Sequence, residues 1–139
     1  MTELELNILE EGRVVYGEIK SFQDLAVWQK SMQLVKEIYL ITQQFPSDEK
    51  FGIVSQIRRA AISVPSNIAE GWGRNSSGNY IHFLKIANGS LCEVQTQLIL
   101  CTMLSLVPEE SILETKKLIE DTGKMLRALI KSIENNKKN

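Results

Sequence analysis

The sequence predicts an all-α protein: an antiparallel up-and-down four-helix bundle with a short N-terminal arm or β-hairpin. Three observations lead there. Apolar residues recur at spacings of three and four through four stretches, at about 22–45, 48–72, 77–105 and 108–135. The breaks between them, "FPSDEK", "GWGRNSSGN" and "SLVPEES", are short and rich in Pro, Gly, Ser and Asn. Helices of this length joined by short turns pack side by side at shallow crossing angles. Residues 21–139 form the bundle in this reading, and residues 1–20 the arm.

The arm differs in pattern from the rest. "LELNI" alternates apolar and polar residues, "RVVY" is β-prone, and Glu11-Gly12 lies between them. It reads equally as a hairpin or as a disordered arm. A lone two-stranded hairpin is marginal in water and needs a surface to pack on.

The first helix opens at "SFQD", where Ser21 stands three residues before Asp24. Leu25, Trp28, Met32, Val35, Tyr39 and Thr42 form its core stripe. A second stripe, Val27, Ser31, Leu34, Ile38 and Ile41, runs beside it. A helix apolar on more than one face is usually covered on more than one side. Trp28, Leu34, Ile38, Ile41 and Phe45 are therefore candidates for a subunit interface, and a homo-oligomer is expected.

Ser47 caps the second helix in this reading, with Asp48 and Glu49 in its first turn. Ile53, Ile57, Ala61, Val64 and Ile68 make its buried stripe. Pro65 lies in its interior. Proline cannot donate to the carbonyl of Ala61, and its ring crowds that carbonyl. A kinked but continuous helix is expected there. The third helix buries Tyr80, Leu84, Ala87, Leu91, Val94, Leu98 and Cys101. The fourth, opened near Pro108, buries Ile112, Thr115, Ile119, Thr122, Leu126, Leu129 and Ile133.

The stretch "AISVPSNIAEGWGR" concentrates the polar residues of the second helix. Arg59, Ser63, Asn67 and Glu70 are three or four apart and share a face. Ser90 and Glu93 offer partners on the third helix, where Gly89 allows close backbone approach. A structural polar network of Arg58, Arg59, Ser63, Asn67, Glu70, Ser90 and Glu93 is expected, with the arginines neutralising the two glutamates. Such a network sets register more than it adds stability. The alternative is a solvated charged face.

Composition narrows the function classes. The chain has 139 residues, 43% of them hydrophobic, enough for the core of one domain. No apolar run approaches the roughly 20 residues needed to cross a bilayer. The N-terminus lacks a basic region followed by an apolar one, so a cytoplasmic protein without membrane contact is expected. The net charge is −1. Residues 1–20 hold five acids and two bases, a net of −3; the rest hold twelve acids and fourteen bases, a net of +2.

Catalytic and metal residues are not expected. His82 is the single histidine, and the Glu-x-x-His pairs of di-iron bundles do not occur. No phosphate-binding glycine loop or nucleophile motif is present. No cofactor is expected. Cys92 and Cys101 fall on one helix nine positions apart, on opposite sides and roughly 13 Å apart along the axis. They cannot pair with each other.

"SFQDLAVWQKSMQLVKEIY", "QIRRAAISVPSNIAEG" and "GSLCE", in that order, resemble the 23S rRNA intervening sequence proteins. The likeness is strong from about Ser21 to Leu106. It implies small bacterial four-helix bundles that assemble as homopentamers. It also implies a distant likeness to the accessory variability protein of diversity-generating retroelements, a pentamer that binds nucleic acid and a reverse transcriptase. The family pattern usually carries a basic residue where this chain has Asn88.

Two functions follow. The first is a non-catalytic assembly or adaptor module whose partner is a further copy of itself. The second is a nucleic-acid-binding accessory protein whose partners are RNA, DNA or a nucleic-acid-processing protein. Its candidate contacts are Arg58, Arg59, Arg74, Lys85, Lys116, Lys117, Lys124, Arg127 and Lys131. A weak patch repeated around a ring would gain by avidity.

Overall fold

The computed structural model describes residues 6–8, 14–17 and 19–138. Two short strands, β1 (Leu6–Ile8) and β2 (Val14–Tyr16), precede four helices: α1 (Ala26–Thr42), α2 (Ser55–Gly73), α3 (Ser77–Met103) and α4 (Leu113–Lys138). The fold is an all-α four-helix bundle. Each helix packs on its neighbour in sequence, and α4 returns to pack on α1, closing the ring. The pairing of α2 with α3 is the most extensive.

The strands pair antiparallel, with Leu6 opposite Tyr16 and Ile8 opposite Val14. The Glu11-Gly12 turn expected between them lies outside the described residues. Ile8 is fully buried, and β1 lies against α1 and α4. The bundle thus supplies the surface that a two-stranded ribbon lacks alone.

Helix α1 starts later than its sequence suggests, and the reason is local. Ser21 and Asp24 do form a capping box, but it opens a single 3₁₀ turn over Phe22–Asp24. Leu25 then takes extended backbone angles, φ −74° and ψ 123°, and has no capping side chain. The cap comes from the hairpin. Asn7 Oδ1 accepts from the Ala26 amide at 2.9 Å, while Asn7 Nδ2 donates to the Asp24 carbonyl at 3.1 Å. Asn7→Ala is expected to lower stability by about 1–2 kcal/mol in urea titration, as a lost N-cap does. Asn7→Asp keeps the acceptor and should lose less.

The extended Leu25 also corrects the reading of α1. Counting Leu25 as helical put the core stripe one position out of phase. The core of α1 is Val27, Leu34 and Ile38, all fully buried, with Ser31 and Thr42. Met32 and Tyr39 face outward, 44% and 38% exposed. Leu34 and Ile38 therefore belong to the chain's own interior rather than to a subunit interface. Trp28, Ile41 and Phe45 are partly buried against the same core.

The segment before α2 is also irregular. Ser47–Glu49 is a 3₁₀ turn, and a wider turn over Lys50–Val54 bends at Gly52, with φ −101° and ψ −116°. From Ser55 the helix runs unbroken through the buried Pro65 to Gly73. Asn75, at φ 62°, turns the chain towards α3, whose first turn is capped by Ser76. The expected stripes of α3 and α4 are buried along their whole length.

Candidate functional site

The polar residues of α2 fall into separate groups along the helix. At its start, Arg58 Nε donates to Thr42 Oγ1 at 2.9 Å, and its guanidinium lies 4.3 Å from the centre of the Tyr39 ring. This arginine clamps α1 to α2. At its end, Arg74 pairs with Glu70 at 2.6 Å across one helical turn. Both side chains are about half exposed. A pair so placed contributes about 0.2–1 kcal/mol. Arg74 also sits 5.1 Å from the Phe83 ring, which ties the end of α2 to α3.

In the middle, Ser63 Oγ and Ser90 Oγ are 2.8 Å apart and join α2 to α3. Asn67 Nδ2 donates to both the Ser63 hydroxyl and the Ser63 carbonyl, each at 2.8 Å. Pro65 supplies no amide to the Ala61 carbonyl. The Asn67 side chain therefore reinforces the helix on the residues flanking the proline. Because Ser63 Oγ accepts from Asn67, its own proton is available to Ser90.

The structure thus brings together Ser63, Asn67 and Ser90, and separately Glu70 and Arg74. Arg59 and Glu93 are not joined to these groups. Both line an open cleft between α2 and α3, of about 560 Å³, with Ser55, Gln56, Ala60, Ser63, Ser90 and Gln97. Among the described residues, no ion pair links Arg59 to Glu70 or to Glu93. Gln97 Oε1 is buried without a donor.

Gly89 is not a point of close contact within the chain. It is exposed, and a Cβ there would meet nothing within 4 Å. The close approach lies at Gly71 instead. A Cβ at Gly71 would stand 2.8 Å from Phe83 Cβ and 3.2 Å from the Tyr80 carbonyl oxygen.

The other cations are scattered. Lys85 reaches Glu134 at 4.0 Å. Lys116 borders a pocket of about 270 Å³ that also holds Glu109 and Glu120. Lys117 borders a groove of about 370 Å³ with Glu37, Glu114 and Asp121. Lys124, Arg127 and Lys131 are exposed on one face of α4, and among the described residues no ion pair holds them.

No group of three or more His, Cys, Asp or Glu side chains among the described residues is placed to hold a metal. No described helix is long and apolar enough to cross a membrane. His82 is exposed and packs edge-on against Phe83. Burial, with Glu49 nearby, pushes the Cys101 thiol up to about 11, so it stays protonated at neutral pH. Cys92 is exposed. Burial also raises the Tyr80 hydroxyl, which has no partner.

The roles of Asn7 and Thr42 escape a reading by local spacing. Asn7 acts on Ala26, nineteen residues away, and Thr42 acts on Arg58 across a turn. Only the contact between elements reveals either.

The fold and its polar seam define a class: a four-helix bundle whose second and third helices are registered by a proline-associated Ser-Asn-Ser cluster. Within that class, the chain belongs to the 23S rRNA-intervening sequence protein family, whose model matches residues 23–128. A search of curated proteins finds no match to it.

Proposed function

We propose that the chain is a non-catalytic, self-associating bundle that serves as an assembly or adaptor module. One observation carries this reading. Ile99, Leu100, Met103 and Leu104 at the end of α3, and Leu113 at the start of α4, are 48%, 40%, 72%, 60% and 60% exposed. Large apolar side chains gathered at one end of a bundle mark an interaction surface. The family resemblance adds the number of subunits, five, and a bacterial setting.

A second reading rests on Lys124, Arg127 and Lys131. These three cations on one face of α4 suit contact with a phosphate backbone, and a ring would multiply them. RNA, DNA or a nucleic-acid-processing protein would then be the partner.

One experiment tests both. Light scattering at micromolar concentration is expected to give a multiple of the 15.7 kDa chain mass. A mass near one chain would overturn the assembly reading. RNA and DNA titrations at two salt concentrations address the second. Binding that weakens with salt, and disappears when Lys124, Arg127 and Lys131 are changed to Glu, would favour the nucleic-acid reading. No binding at low salt would end it.

A further inference from the structure

The exposed apolar side chains at the end of α3 are held on an ordered turn. The helix closes with a Schellman cap: the Leu106 amide donates to the Cys101 carbonyl at 2.9 Å, and the Ser105 amide to the Thr102 carbonyl at 3.0 Å. Ser105 takes φ 59°, the left-handed position that favours glycine. Met103 and Leu104 are thus exposed on a closed turn rather than a frayed one. Groups fixed beforehand lose little freedom on binding.

The same end of the bundle holds a pocket of about 270 Å³. Leu98, Ile112 and Ile119, all buried, give it an apolar lining, and Glu109, Lys116 and Glu120 border it. Ile99 also lines it and lies four residues before Met103, so the pocket and the apolar turn are continuous. Small-molecule sites run from about 300 to 1,000 Å³. This pocket falls below that range and suits one large side chain of a protein partner.

Charge selects the partner. No Lys or Arg occurs between Lys85 and Lys116, while Glu109, Glu110 and Glu114 stand in that stretch, all exposed. The connection from α1 to α2 lies at the same end, where Glu49 is near enough to Cys101 to act on its thiol. Asp48 and Glu49 therefore add to the acids here, with Lys50 beside them. Acids suit the start of a helix; at this end they also rim an apolar surface. Phosphate, anionic lipid and the same end of a second copy are all repelled by them. An occupant both cationic and apolar is attracted.

We propose that this end of the bundle docks a basic amphipathic helix of another protein. One apolar anchor enters the pocket, its neighbours at spacings of three and four cover Met103 and Leu104, and flanking Lys or Arg side chains meet Glu109 and Glu110. This rests on the adaptor reading above and gives the surface a partner other than the chain itself.

Two synthetic peptides of about 18 residues, five helical turns, test it on the full-length chain. Both carry leucine at spacings of three and four; the remaining positions are lysine in one and glutamate in the other. In calorimetry the lysine peptide should bind about tenfold tighter or more, and less tightly at high salt. Met103→Gln with Leu104→Gln should weaken it about tenfold and leave the melting temperature unchanged, as exposed changes do. Glu109→Lys with Glu110→Lys should reverse the preference between the peptides. No binding, or equal binding of both, overturns the proposal. So does a lysine peptide that ignores both sets of substitutions, since it then sits elsewhere. Light scattering on the same samples separates the two readings. A mass of one chain with peptide bound ends self-association alone, and an assembled chain that binds no peptide ends this docking site alone. If Met103→Gln with Leu104→Gln breaks the assembly, the occupant is a further copy and the proposal falls.

Discussion

Ile38→Ala is expected to lower the folding free energy by about 2–5 kcal/mol, the range for emptying a fully packed aliphatic site. Ile38 is 0% exposed, in a core shared with Leu34, Ile57 and Leu129. For a chain of this size the melting temperature should fall by roughly 6–20 °C. The loss should be the same at every protein concentration, because it arises within one chain. Met32→Ala, on the outward side of the same helix, should change stability by about 0.5 kcal/mol or less. A loss seen only in dilute protein would return Ile38 to a subunit interface.

Gly71→Val should be the second most damaging change. A side chain at this buried position meets Phe83 Cβ and the Tyr80 carbonyl, neither of which is the free end of a flexible group. Overpacking of this kind costs about 1–3 kcal/mol. Gly71→Ala should cost less, since the gain in helix propensity, about 1 kcal/mol, offsets part of the clash. Gly89→Ala should act with the opposite sign in thermal unfolding and stabilise the fold. A stabilised Gly71→Val protein would show that α2 and α3 can separate there without loss.

Much of this fold was legible because α3 and α4 keep one period throughout. The stripe from Tyr80 to Cys101 on α3, and that from Ile112 to Ile133 across α4 and its first turn, are buried residue for residue. The stripe of α1 was misphased for a physical reason. Leu25 has the spacing of a helical residue but the backbone of an extended one, held there by a capping box that closes a different turn. Spacing does not report φ and ψ.

The polar site was legible only in part: Ser63, Asn67 and Ser90 meet, while among the described residues Arg59 and Glu93 join none of the other five. Seven residues at helical spacing look like one network. In space, Arg58 is drawn off by Thr42 and Tyr39, and Glu70 by Arg74. Which neighbour a long side chain chooses depends on groups from other elements. Gly89 and Gly71 make the same point. Both are helical glycines beside the seam, and only the packing tells which one another group crowds.

The ring of helices closes through α4 on α1, so the last helix made completes the cover of the first. A ribosome adds about 5–20 residues per second. From Thr42 to Ile133 is 91 positions, which takes roughly 5–20 s at that pace. During that interval Leu34 and Ile38 lack one wall, and their contacts with other nascent chains or with chaperones are open. Sticking between neighbouring chains on one messenger is then a hazard of synthesis, and it ends when α4 arrives.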